Sequence, residues 1–448
     1  MAEVGIVGGG ILGMTLAAKL TRQGHRVTIL EAATRSGGLA APAEIGGYTW
    51  DRFYHVILLS DSHLRGLLDE LGLGDRLHWN PTRTGFYLDG RLLPLSSTLD
   101  FLTFPALGLL DKARLGATIL YASRIRDWRR LESETARAWL TRWSGPRAWD
   151  RLWRPLLRAK LGDNAEVASA AFIWAIIARM YGARRTGMKR ETFGYVDGGY
   201  ASILGRLDAR LRDLGVETQY GARATEVRRS GGHVVVTTTG GVRQFDHVVL
   251  TIPSGRIADV CPQLGDAERA RLRAVRYQGI ACAALLLEQP LADCYITNIA
   301  DPEVPFTAVI EMTALVDRRT FGGHALVYLP KYLTQEDPFW QRTDAEIESE
   351  FLAALERMYP RFRRSQVKAF QLSRVRDMLA VTTLDYSAAL LPPTATSIDG
   401  IFIVNSAQIA NGTLNVNETV ALASRKADEL EPVLRDTTLA PRRAAGAA

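Results

Sequence analysis

Cysteine is scarce: Cys261, Cys282 and Cys294 are the only three in 448 residues, and none stands in CxxC spacing. That excludes a disulfide framework or a zinc ribbon and points to a reducing cytoplasm. The seven histidines (His25, His55, His63, His78, His233, His247, His324) are scattered, with no pair at helical ligand spacing, so no metal site is expected. Long apolar runs are missing too. The longest, about 167–178, falls short of the roughly 20 residues that span a bilayer. The opening Met1-Ala2-Glu3 carries an acid instead of a basic stretch, so no targeting leader is expected. A cytoplasmic protein, or one peripheral on the inner face of the membrane, is the expectation. Hydrophobic residues make up 47% and charged residues 23%, which excludes wholesale disorder and collagen-like or coiled-coil chains. The length suits two or three domains, or one large interrupted domain.

The charge present is unevenly placed. Between Asp111 and Glu191 stand 18 Lys/Arg against 8 Asp/Glu, in a chain whose net charge is +7. Six of the nine tryptophans (Trp128, Trp139, Trp143, Trp149, Trp153, Trp174) share that window. Two readings stand side by side: an anionic surface or substrate site, and a solvated basic face over a Trp-filled core. Nucleic acid is not expected, because no recognition motif accompanies the charge.

The chemistry-bearing pattern lies at the start. Val4 to Val7 reads as a strand, Gly8-Gly9-Gly10-Ile11-Leu12-Gly13 follows, and Met14 to Gln23 reads as a helix. Gly24 ends that helix, and Arg26 to Leu30 is a second strand closing on Glu31. Gly8 permits a tight turn, Gly10 lets a diphosphate approach bare backbone, and Gly13 lets helix and strand pack closely. Ile11 and Leu12 open the helix, whose free N–H groups face the phosphates. Glu31 is placed to accept both hydroxyls of a ribose and would repel a 2′-phosphate. A second glycine pair comes next, in Ala32-Ala33-Thr34-Arg35-Ser36-Gly37-Gly38-Leu39. A longer dinucleotide passing over this loop would use Arg35 against its diphosphate and Gly37-Gly38 for close approach. An ordinary turn would also use the glycine pair.

The run Val4 to Leu39 resembles the flavin-containing amine oxidase superfamily, which includes protoporphyrinogen oxidases and phytoene-type desaturases. The resemblance implies FAD as cofactor and an α/β fold. It would comprise a discontinuous Rossmann-type, glutathione-reductase-like FAD-binding domain, a mixed sheet-plus-helix substrate domain and a helical insertion. Tyr48 to His55 resembles the family stretch that approaches the flavin, and Tyr195 to Tyr200 its Gly-Gly turn before a helix at 201–214. Strands are expected at 221–227, 233–238 and 245–253, with the backbone near Ala224 at the adenine. Ile401 to Glu418 resembles the closing strand, turn and helix, with Leu414 and Val416 at the flavin. One departure stands out: Asn405-Ser406 replaces the family's Gly-Asp, so the usual carboxylate is absent there, and Asn405 or Ser406 is expected to hydrogen-bond the cofactor in its place. The polar run Asn411 to Glu418 opens a helix whose amides would face the flavin pyrimidine.

The expected organisation is an FAD domain in three pieces, 1–90, 195–260 and 395–432. A helical insertion occupies 91–194, the substrate domain 261–394, and a frayed tail 433–448. In the substrate domain strands are expected at 281–287, 308–311 and 325–329, with a helix at 344–358. The stretch Leu99 to Leu110 is unusually apolar for a loop, and Lys112, Arg114, Arg124 and Arg126 follow it. Membrane contact, a packed lid helix and a dimer contact are the alternatives.

Because a flavin performs the redox step itself, no catalytic triad is required. The catalytic candidates are His55 as a proton shuttle, Tyr54 beside it, Lys331 after a strand, and Glu311 at a strand end. Glu311 either enters the substrate cavity or caps a neighbouring turn. Tyr295 and Tyr332 are candidates for an aromatic wall. The expected function is FAD-dependent hydride abstraction from a C–H bond of an apolar or amphiphilic small molecule such as an isoprenoid, porphyrinogen or natural-product intermediate, with oxygen or a quinone as acceptor. The first rival is a sugar-nucleotide mutase in which Arg184, Arg185, Lys189 and Arg190 clamp a diphosphate. A non-catalytic FAD-stabilised subunit and a plain NAD-binding protein are the others.

Overall fold

The computed structural model of the protein describes residues 1–184, 191–410 and 414–435. A five-stranded, wholly parallel sheet runs in the order Glu217–Gln219, Arg26–Leu30, Glu3–Val7, His247–Leu250, Ile401–Ile403. Its inner strands are almost entirely apolar, as a sheet covered on both faces requires. On one face pack the helices Ile11–Arg22, Ser62–Glu70, Gly199–Asp213 and Val416–Arg435, around Leu16, Leu20, Leu68, Leu207 and Leu430. The other face meets the antiparallel strands Ala224–Ser230, His233–Thr238 and Gly241–Phe245, through Val227, Val234 and Phe245. In register, Val7 pairs with Leu30 and Leu250, and Leu250 with Ile403. The residues that follow these strand ends, Gly8, Glu31, Thr251 and Val404, therefore share one edge of the sheet. In open α/β sheets that carboxyl edge is where ligands bind.

A second sheet of seven strands has the order Val367–Ala380, Tyr277–Leu287, Ala325–Leu333, Ala308–Glu311, Ile296–Ile299, Thr84–Leu88, Arg91–Pro94. It draws on residues before 95 as well as on those after 276. Strand alternation gives it two apolar faces. Val327, Leu329 and Leu333 face the helix Asp344–Met358 with its Ile347, Phe351 and Leu355. Leu326, Tyr328 and Tyr332 face the other way, onto Trp50, Phe53, Tyr54 and Met312. The second face looks toward the glycine turns. The strands Val367–Ala380 and Ile296–Ile299 were not among the sequence expectations; their mixed polar and apolar patterns give no clean period of two.

Helices dominate 98–184: Thr98–Thr103, Leu109–Ala122, Ala136–Ser144, Arg154–Leu161 and Ala170–Arg184. The apolar stretch 99–110 is thus one short helix and the start of another, the first capped by Ser97 accepting from the Asp100 amide. Trp139 and Trp149 are buried, and Trp128, Trp153 and Trp174 pack against the same helical core. Trp143, more exposed, stacks on Tyr121 with ring centroids 4.3 Å apart. The tryptophans are therefore packing residues beneath the basic face. Among the described residues no helix is long and apolar enough to cross a membrane.

Candidate active site

The first glycine turn is shaped by what a side chain would meet. Gly8 has φ +114°, and a Cβ there would lie 2.4 Å from Thr251 Oγ1. A Cβ on Gly13 would fall 2.0 Å from the Gly8 carbonyl oxygen, so only glycine lets the helix Ile11–Arg22 sit this close to the turn. Gly10 differs. A Cβ there would meet only the Gly38 Cα, at 3.9 Å, because Gly10 borders open space instead of packed core. Gly10 also caps the helix without a side chain, so the first-turn amides of Ile11, Leu12 and Gly13 have no side-chain cap.

The second turn closes over the first. The Gly37 amide donates to the Gly9 carbonyl at 2.8 Å. Gly37 and Gly38 have φ +120° and +57°, values that ordinary side chains rarely adopt. Leu39 follows in the short helical turn Gly38–Ala40. Glu31 accepts from the Gly9 amide at 2.5 Å and from the Ala33 amide at 2.7 Å. These bonds hold its carboxylate at the mouth of the turn, and two acceptors per oxygen leave lone pairs over. Ala32 lies between, and the Ala222 amide donates to the Glu31 carbonyl at 2.9 Å. That bond brings Ala224, at the start of its strand, alongside the acid.

Cationic groups gather at the same place. Arg52 Nη2 donates to the Gly38 carbonyl at 3.1 Å, while its Nε is buried without a partner. Burial, and then the neighbouring Arg35, pull the Arg52 guanidinium below its ordinary pKa. Two guanidinium groups within electrostatic reach, beside bare glycine backbone and a helix N-terminus, form a site whose chemistry suits an anion. A dinucleotide diphosphate fits that requirement, and Glu31 fits a ribose. Arg52 was not singled out in the sequence; its only signal was its place in the stretch Tyr48 to His55.

Arg52 also ties this cradle to the wall beyond it. His55, three residues on, lines a small cavity with Trp50, Asp51, Tyr195, Tyr200 and Met312, among others. Tyr54 turns to the neighbouring sheet, its hydroxyl 2.6 Å from that of Tyr332. Burial, then Tyr332, hold the Tyr54 phenol well above its ordinary pKa, so it is a neutral hydrogen-bonding group. Tyr328 belongs to the same wall and donates to the Asp51 carbonyl at 2.5 Å. Tyr295 is buried there as well, with no partner for its hydroxyl.

Several sequence candidates do not join this group. Lys331 alternates with Tyr332 on its strand and so points to the opposite face. Its Nζ donates to the Pro305 carbonyl at 2.9 Å and lies 5.2 Å from the Phe339 ring centroid. Glu311 caps the turn after residue 290, accepting from the Leu291 and Ala292 amides at 3.1 and 3.0 Å. Of its two sequence readings, the cap is the one observed. Asn405 is consumed internally: Oδ1 accepts from the Ala407 amide, and Nδ2 donates to the Ile252 carbonyl and to Ser254 Oγ. It holds two segments together and has no donor left for a cofactor. Ser406, half-buried, begins the short helix Ser406–Gln408. Leu414 packs between the nucleotide-sheet core and the helical core, and Val416 opens the helix Val416–Arg435. Residues 411–413, the Arg184 side chain, Arg185, Lys189, Arg190 and the tail from 436 lie outside the described residues.

Comparison with known proteins identifies the family. The family described as "Flavin containing amine oxidoreductase" matches residues 13–429. Coproporphyrinogen III oxidase of Mycobacterium tuberculosis is 28% identical over 331 residues, covering 69% of this chain and 72% of that one. The chloroplastic protoporphyrinogen oxidase of Nicotiana tabacum is 25% identical, covering 63% of this chain and 57% of its own. The crystal structure of a reduced UDP-galactopyranose mutase superposes with TM-score 0.75 at 15% identity over 98% of each chain, a likeness of fold alone. The chain belongs to the flavin containing amine oxidoreductase family and is a flavin-dependent oxidoreductase.

Proposed function

We propose that this member of the flavin containing amine oxidoreductase family holds FAD and removes hydride from a C–H bond of an apolar or amphiphilic substrate. The observation that carries the choice of cofactor is the pair of facing glycine turns, with Gly10 open, Glu31 fixed at the mouth and Arg35 and Arg52 beside them. A second glycine turn and a second cation suit a dinucleotide whose far half extends over residues 35–39. When bound, the flavin supplies the two-electron acceptor. The chain's own groups bind, orient and exclude water. The partly buried Tyr54 and Tyr332, over the packed core of Trp50, Tyr328 and Met312, offer an apolar surface with hydroxyls, the composition expected for an amphiphilic substrate. Porphyrinogens lead the candidates, because relatives named for coproporphyrinogen and protoporphyrinogen oxidation match most of the chain. Oxygen or a quinone would take the electrons onward.

The test begins with the absorption spectrum of the purified protein and the mass of its released chromophore. Anaerobic mixing with coproporphyrinogen III, a polyene and a primary amine then reads bleaching of the flavin band. Bleaching by the porphyrinogen supports the proposal. A colourless protein, a chromophore other than FAD, or turnover without net redox would overturn it.

A peripheral membrane location is a second element of the proposal, and one observation favours it. Leu99, Leu102, Leu109 and Leu110 are 68%, 50%, 76% and 74% exposed on adjoining helices of the basic segment. An apolar patch set in basic surroundings suits an anionic bilayer surface.

A further inference from the structure

Asp51 stands four residues before His55, and no motif gives it a role. Its residue is 2% exposed, yet it carries a carboxylate. Oδ1 accepts from the Tyr200 amide at 2.7 Å, in the first turn of the helix Gly199–Asp213. A Cβ on Gly199 would lie 2.7 Å from that oxygen, so the helix start is built around it. Oδ2 has a different neighbour, His55 Nδ1, at 3.7 Å. That nitrogen is buried and has no hydrogen-bond partner among the described residues. The Tyr200 ring packs on the imidazole with centroids 4.7 Å apart. The His55 side chain keeps 19% exposure, and none of it falls on Nδ1.

Each group supplies what the other lacks. A buried carboxylate needs donors, and the helix N-terminus satisfies only one of its oxygens. An imidazole nitrogen facing a carboxylate is stabilised when it carries the proton. The 3.7 Å separation exceeds a hydrogen bond, and a small rotation of the ring closes it. We propose that Asp51 is the positioning residue of His55: its Oδ2 accepts a hydrogen bond from Nδ1–H, fixes that tautomer and leaves Nε2 as a proton acceptor for the cavity.

This inference rests on the oxidoreductase reading above for its purpose. With bound flavin supplying the hydride acceptor for the C–H electron pair, His55 Nε2 would take the proton from the adjacent atom, and a double bond would remain in the substrate. The imidazolium, paired with Asp51, then releases that proton to solvent.

The experiment is a long-range proton–nitrogen correlation spectrum of the flavin-loaded protein labelled with nitrogen-15 in its histidine rings. It is run at about pH 9, where ordinary imidazoles are neutral. The His55→Gln variant assigns the signal. The expected result is Nδ1 protonated and Nε2 bare. Asp51→Asn keeps an oxygen for the Tyr200 amide but turns an N–H toward Nδ1, so the ratio of tautomers should invert. A role confined to capping the helix would leave the tautomer unmoved. A wild-type ring protonated at Nε2, or at both nitrogens, would overturn the proposal, and so would an unchanged ratio in a folded Asp51→Asn protein. If that variant fails to fold, the wild-type spectrum decides alone. No substrate is needed, so an inactive protein showing the Nδ1–H tautomer would refute the proposed reaction and leave the pairing intact.

Discussion

Gly10 and Gly38 face each other across the candidate cofactor site, so that a Cβ on Gly38 would stand 3.2 Å from the Gly10 Cα. One turn lies inside the strand–helix–strand unit and the other follows it, and both leave bare backbone there. Gly10→Val should fill that space without disturbing the core, since its φ is −72° and the only neighbour of its Cβ is Gly38. The expected outcome is a protein that purifies folded, with flavin content reduced at least about tenfold, a loss of roughly 1.4 kcal/mol in binding or more. The ratio of flavin to protein absorbance measures it. Full occupancy in the variant would count against the assigned phosphate turn.

Gly13→Ala should behave in the opposite way. Its Cβ would collide with the Gly8 carbonyl, so the damage is to folding. A loss of about 3 kcal/mol is expected from forced movement of the helix. Thermal unfolding of the apoprotein reads it, and an apoprotein as stable as wild type would contradict the packing described.

Glu31→Ala removes a charged acceptor at the mouth of the turn and frees the Gly9 and Ala33 amides. Hydrogen bonds to a charged group are worth about 1.5–3 kcal/mol. Titration of the apoprotein with FAD should show affinity roughly ten- to a hundredfold weaker. Equal affinity would mean that the acid does not grip the ribose.

Glu311 makes stability depend on pH. Burial pushes its carboxyl up to about 7 from an ordinary 4.5, against the opposing pull of the Ala292 and Leu291 amides. The folded state therefore binds the proton more tightly than the unfolded chain does. Its stabilising contribution is complete below the unfolded value and fades as pH rises toward 7. Glu311→Gln removes this dependence, by up to about 3 kcal/mol. Urea midpoints at pH 5 and pH 8 measure it: the wild type should lose more between them than the variant. Parallel losses would show that Glu311 is not the group titrating.

Leu109→Ser with Leu110→Ser tests the exposed patch. Flotation with vesicles containing an anionic lipid should recover wild-type protein, with recovery falling at high salt. The double variant should stay in the aqueous fraction with its flavin content unchanged. Wild-type protein that fails to float would remove the membrane from the proposal.

Part of the fold and of the site is legible in the residues alone. The unit Val4 to Glu31 is local: a strand, a glycine turn, a helix and a strand within one short stretch, each piece determined by neighbours in the chain. The helix Asp344–Met358 and the strands Ala308–Glu311 and His233–Thr238 likewise lie where their periodicity placed them. Lys331 shows where such reasoning ends. One residue of register separates it from Tyr332, and which of the two meets Tyr54 depends on which face of the sheet packs against the helix. Asn405 shows the same limit, because its partners Ile252 and Ser254 lie some 150 positions away.

The bare backbone and the acid follow from the residues alone, because glycine conformations and a strand-end carboxylate are consequences of local residue identity. Which side chains surround that cradle depends on packing. It set Arg52 against Gly38, Asp51 under the helix at Tyr200, and Tyr54 against Tyr332. Arg52 reaches back 14 positions, while the other two meetings join segments 149 and 278 positions apart, and packing between elements selects them.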